Sequence, residues 1–91
     1  MKIGKTVVRG WFVYIVRCSN RTLYTGVTTD VARRIKEHNS GRGARYTRAF
    51  GPVVLVWSRK SRTRSSALKT ECRIKRLSRE KKEALVKLKK S

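Results

Sequence analysis

The polarity pattern along the chain changes period several times, and each change marks an element. "WFVYIVR" (11–17) and "TLYTGVT" (22–28) are rich in aromatic and β-branched residues and flank the polar "CSNR", which predicts a β-hairpin. "PVVLVWS" (52–58) is a third strand, and its nearly continuous apolar run predicts a central place in the sheet. Between them, Val31 and Ile35 recur at helical spacing after a capping residue, Thr29 or Asp30, so a helix is predicted from about 30 to 39, ended by Gly41. Ser65 or Ser66 caps a second helix to about 77, and Ser78 caps a third through "REKKEALVKLKK". The Arg/Ser-rich "SRKSRTRSS" (58–66) reads as a solvated loop. The order β-β-α-β-α-α predicts an α/β domain of the α+β type: a small, mainly antiparallel three-stranded sheet flanked by helices. One domain spans 1–91, its core about 11–88.

Side-chain direction follows from these periods. A hairpin loop with an odd number of residues centred on Ser19 sets Tyr14 directly opposite Tyr24 on one face, as a packed aromatic pair or as two hydroxyls at a site. On the first helix, Val31 and Ile35 form the apolar stripe, with Arg34 and His38 at its edge, one turn apart. Arg33 falls on the far side, where it is expected to pair with Glu37. Arg34 is either one more phosphate-contacting charge or part of a site beside His38, itself a boundary residue or a proton carrier.

Charge then changes the picture. Lys and Arg number 25 against 5 Asp and Glu, a formal net charge of +20. So much self-repulsion in so short a chain implies a polyanionic partner, with nucleic acid first. Membrane attachment ranks behind it: the lysine-rich end has too few large apolar residues for an interfacial helix, and the apolar run Trp11 to Val16 is too short for a span or a signal core. The expected compartment is therefore the cytoplasm, where Cys18 and Cys72 stay free thiols. One histidine and no CxxC pair leave no typical structural zinc site.

The five acids single out one residue. Asp30 has a capping role and Glu37 an ion pair, and Glu80 and Glu83 face away from a stripe of Ala84, Leu85 and Leu88. Glu71 instead falls within the stripe of Ala67, Leu68 and Ile74. A carboxylate there needs compensation by a cation, a metal or a hydrogen-bond network. Together with the tyrosines, Arg34 and His38 it makes a phosphoryl-transfer inventory, with one carboxylate for one divalent cation.

These residues, in this order, resemble the GIY-YIG nuclease superfamily, in its small stand-alone bacterial form. "FVY" (12–14) and "YTG" (24–26) are similar to the two name motifs, and Arg34, ten residues after Tyr24, to the arginine of the "RR" helix. "EHN", "GRGARYTR", "PVVLVW" and "ALKTECRIKRL" extend the likeness over 11 to about 88, with departures at Phe12, Val13 and Thr25. The resemblance implies a Mg²⁺- or Mn²⁺-dependent endonuclease acting on DNA, in repair or recombination. By the same resemblance, Tyr14 is a candidate general base, Tyr24 lies at the phosphate, Arg34 stabilises the transition state, His38 assists proton transfer and Glu71 holds the single metal. Which tyrosine is the base differs among family mechanisms. A tyrosine, with a reference pKa of about 10, needs a metal, arginine or imidazole nearby to act as one.

A non-catalytic DNA- or RNA-binding module is the alternative. Arg42, Arg45, Tyr46 and Arg48 in "GRGARYTR" suit either reading, as contacts to a scissile strand or as a stacking and phosphate-binding patch. No targeting domain is legible, and a monomer is the default.

Overall fold

The computed structural model describes residues 10–90. Residues 1–9 and 91 lie outside them. The elements are β1 (Trp11–Arg17), β2 (Leu23–Thr28), α1 (Val31–Asn39), α2 (Arg45–Ala49), β3 (Val54–Ser61), α3 (Arg64–Lys75) and α4 (Arg79–Lys90). The sheet has three strands in the order β2-β1-β3, both pairings antiparallel. The α+β class and the sheet are as the polarity pattern predicts; α2 is an addition, formed where a loop was expected.

The central strand is β1, not β3. Val13 to Val16 are all buried, so β1 is covered on both faces, whereas β3 leaves Val54 64% exposed and Leu55 40% exposed at the sheet edge. The apolar run that suggested a central strand is divided by irregular geometry. Val53 is buried ahead of the strand, and a register shift between Ile15 and Val16 makes Val56 an extra residue, so Val56 and Trp57 both reach the same core cluster. β3 also runs on to Ser61, through residues read above as the start of a solvated loop. On an edge strand, arginine and lysine keep their charges in water while the backbone pairs with β1.

Alternation along β1 divides the core in two. Val13 and Ile15 pack with Trp57, with Ala67 and Ile74 of α3, and with Val86 of α4. Tyr14 and Val16 pack on the other face with Cys18, Val53, Tyr24 and Ile35 of α1.

The hairpin register differs from expectation by two residues. Cys18 N–H donates to Thr22 O and Arg21 N–H to Cys18 O, closing a three-residue loop centred on Asn20, with Arg21 at φ 71° in the left-handed region. Asn20 favours this turn, because its side-chain oxygen accepts from Thr22 N–H and from the Thr22 hydroxyl. Tyr14 therefore opposes Gly26, and Tyr24 opposes Val16. A shift of two preserves parity, so both tyrosines still share one face.

Helix ends are capped by short polar side chains. Asp30 accepts from Arg33 N–H, Thr63 from Ser66 N–H, ahead of the expected caps Ser65 or Ser66, and Ser78 from Lys81 N–H. On α3, Leu68 is 37% exposed and so stands outside the expected stripe. On α4 the inward residues are Val86 and Leu85, while Leu88 is 75% exposed. Glu83 does not face away: Arg17 donates to its carboxylate through both terminal nitrogens, each at 2.8 Å, and fastens α4 to β1.

Burial of Val86 in the main cluster and exposure of Val54 on the edge strand make opposite predictions. Val86→Ala should cost about 2 kcal/mol and Val54→Thr less than about 0.5 kcal/mol. Urea unfolding of the two variants checks both; equal effects would mean that α4 is not part of the cooperative core.

Candidate active site

The site is built on the face of β1 that α1 covers. Tyr14 is 1% exposed, and its hydroxyl lies 2.8 Å from His38 Nε2. His38, also 1% exposed, places Nδ1 2.6 Å from the Thr47 hydroxyl, which donates to the Ala44 carbonyl at 2.9 Å. A hydroxyl has one proton. Since Thr47 gives its own to Ala44, it must accept from His38 Nδ1–H, which leaves Nε2 as a lone pair facing Tyr14. The neutral imidazole thus accepts the Tyr14 proton. A short helix absent from the sequence expectation, α2, sets the tautomer.

Two glycines make room for this pair. A Cβ on Gly26 would lie 2.5 Å from the Tyr14 hydroxyl oxygen and 2.7 Å from Cζ, and one on Gly43 would collide with the His38 ring. Asn39 locks the end of α1 to the chain entering β3, its amide donating to Val53 O and accepting from Val53 N–H. That contact holds the helix from which His38 projects.

Burial raises the pKa of Tyr14, and the neighbouring Arg34 guanidinium opposes the rise. Burial, then Arg34, lowers that of His38. Arg34 is held at 2.9 Å by Glu37, so Glu37 pairs with Arg34 and not, as expected, with Arg33. Helical spacing permits either partner, three or four residues away, and the i,i+3 pair is the one formed. This bond lowers the carboxyl pKa of Glu37, while Arg33 remains exposed.

Tyr24 packs its ring edge against His38, with centroids 5.6 Å apart, and stacks nearly parallel to Tyr46 at 6.3 Å and 13°. Tyr46 in turn donates to Thr22, whose own proton goes to Asn20. Arg42, Arg45 and Arg48 are exposed along the same rim, in and just before α2.

Glu71 comes from a different element and is not bonded to this cluster. It belongs to α3, which packs on the opposite face, and its carboxylate, 19% exposed, pairs with Lys75 at 3.3 Å. The ion pair supplies the compensation its position required. Its charge is nevertheless felt at the Tyr14 hydroxyl, as the smallest named influence there. Among the described residues no three His, Cys, Asp or Glu side chains gather as a metal site, and no helix is long and apolar enough to cross a membrane. Cys18 is buried, Cys72 is exposed, and both are free.

Thr47, Gly43 and Asn39 were not singled out from the sequence. Thr47 sits in "RYTR" among arginines, and only the turn of α2 brings it beneath His38 nine residues earlier.

A buried tyrosine–imidazole pair thus lies beside a part-buried arginine and an exposed basic rim. Residues 10–84 match the sequence model of the GIY-YIG catalytic domain, and the chain belongs to this family of nucleases. It is similar to a UPF0213 protein of Vibrio cholerae, 57% identical over 77 residues, 84% of this chain and 76% of that one. A UPF0213 protein of Desulfotalea psychrophila is 59% identical over 78 residues, 85% and 71% of the two chains. The solution NMR structure of a UPF0213 protein from Bacillus halodurans aligns with a TM-score of 0.58 at 51% identity, covering 87% of this chain and 84% of that one. The solution NMR structure of a protein from E. faecalis aligns with a TM-score of 0.61 at 40% identity, covering 89% of this chain and 86% of that one.

The absence of a Cβ at position 26 is testable. Gly26→Ala should destabilise the protein by about 1–3 kcal/mol, because the obstructed neighbour is a buried ring. Denaturant unfolding would show this; a neutral substitution would mean that Tyr14 does not lie over this strand.

His38 gives a pH prediction. Its folded pKa is below the ordinary 6.5, so as pH falls below that value the unfolded chain takes up a proton that the folded chain refuses. Stability from neutral His38 is present above about pH 6.5 and is lost on acidification toward the folded value. Glu37 and Glu83, lowered from 4.5, act only below that range. The melting temperature should therefore fall between about pH 6.5 and 5, and His38→Gln should flatten that part of the profile.

Proposed function

We propose that this protein is an endonuclease that hydrolyses phosphodiester bonds in DNA with one divalent metal ion. The observation that carries the reading is the directed hydrogen-bond chain from Tyr14 through His38 and Thr47 to the Ala44 carbonyl. Any buried tyrosine hydroxyl needs a hydrogen-bond partner, but a backbone carbonyl would serve for packing alone, whereas a neutral imidazole with its own proton anchored elsewhere can also take the proton. A tyrosine that must take a proton from water needs such an acceptor, and this favours Tyr14 over Tyr24 as the base.

In this mechanism the attacking water gives its proton to Tyr14 as Tyr14 passes its own to His38 Nε2, and the imidazolium is held by the Thr47 contact. Positioned proton transfer of this kind contributes about 10²–10⁴ in rate. Arg34, fixed by Glu37, faces the charge that develops on the phosphate, and Tyr24 positions a phosphate oxygen. Glu71 is the residue that would hold Mg²⁺ or Mn²⁺. Its partly exposed carboxylate is a hard oxygen donor, and a cation that keeps several waters and takes phosphate oxygens is suited to a single protein carboxylate. Such an ion supplies Lewis-acid stabilisation at the phosphate.

One observation favours the binding module instead: the Glu71–Lys75 pair explains that carboxylate without any metal. The two readings separate in single-turnover cleavage of duplex, flap and junction DNA, and of RNA, with Mg²⁺ or Mn²⁺. Glu71→Gln should abolish cleavage yet keep DNA binding. Arg34→Ala should slow it by about 10²–10³, and Arg33→Ala should leave most activity. Full activity of Glu71→Gln would defeat the one-metal assignment, and no cleavage by the wild type on any substrate would favour the binder.

A further inference from the structure

The Arg/Ser-rich segment that the active site leaves unused lines a cleft of about 500 Å³ between β3 and α3. Five cations border it, Arg59, Lys60, Arg62, Lys69 and Arg73, and every other lining residue is a serine or threonine. All five are exposed, and none forms an ion pair among the described residues. The carboxylates are engaged elsewhere: Asp30 caps α1, and Glu37, Glu71 and Glu83 hold Arg34, Lys75 and Arg17. Glu80 borders a different cleft, beside Arg79.

Lysine, arginine and small hydroxyls are the side chains that contact nucleic-acid phosphates. The lining has no apolar residue, whereas a surface that inserts into a lipid interface needs an apolar wedge. The cleft shares α3 with Glu71 but lies across the sheet from the Tyr14–His38 pair. Arg59 pairs with Val13, whose side points toward α3, while Tyr14 and His38 occupy the face that α1 covers. Phosphates held here are not those at Arg34.

We infer that the β3–α3 cleft is a second backbone-binding site for duplex DNA, adding affinity without entering the reaction. This rests on the nucleic-acid reading above, but its test needs no cleavage. Binding of the intact protein to duplex DNA is measured by fluorescence anisotropy over a range of salt for Arg62→Ala/Lys69→Ala. A control, Arg76→Ala/Lys81→Ala, removes the same charge outside the cleft. Each lost phosphate contact reduces the log–log salt slope by about 0.9, so the cleft pair should lose about 1.8 and the control much less. Melting curves check folding, and Arg59→Gln/Arg73→Gln repeats the test if the first pair fails to fold.

Equal losses in both pairs, or none in the cleft pair, would overturn the inference. So would a cleft pair that changes binding to phosphatidylserine vesicles but not to DNA. A wild type that cleaves nothing but shows the slope difference would uphold the cleft while refuting the nuclease. A wild type that binds no nucleic acid would overturn both.

Discussion

Donation of the Tyr14 hydroxyl to His38 Nε2 is the interaction on which the rest of the site depends. It is buried, so each partner would be left costly and unpaired without the other. It requires glycine at two places where a Cβ would intrude, and a second hydroxyl, that of Thr47, to hold the imidazole proton on the far nitrogen. The short helix α2 and the Asn39 clasp on Val53 hold α1 and its histidine over the central strand.

Charge placement reinforces that design. Few carboxylates stand among many cations, and their contacts are local and specific. Glu37 steadies Arg34 at the edge of the site, and Glu83 grips Arg17 with two bonds and fastens the last helix to β1. Both lower the carboxyl pKa values concerned. Little negative charge remains to screen the other arginines and lysines, so basic surface is presented on both faces of the sheet. Such a surface carries a positive potential on both sides of the molecule.

The elements were legible because periodicity and capping are local. The hairpin, the Asp30 cap, the three-stranded sheet and the inward turn of His38 and Arg34 all follow from neighbours a few positions apart. The shared face of Tyr14 and Tyr24 was legible too, since parity survives a shift of two residues. The register itself was not, because it turns on the left-handed conformation of Arg21 and the side-chain bonds of Asn20. The central strand was misassigned for a related reason: apolar runs report burial, and a bulge at Val56 buries residues of an edge strand as well.

What the sequence by itself determined is the set of chemical groups, most of the secondary structure and the sign of the chain's own charge, since these depend on composition and short-range spacing. Tertiary structure decided the pairings. Glu37 took Arg34 over Arg33, Glu71 found Lys75, Glu83 found Arg17, and Thr47 came to lie beneath His38. The direction of the Tyr14 proton was settled with them. Such choices turn on ångström-scale distances between residues that a folded backbone brings together, and no local pattern carries them.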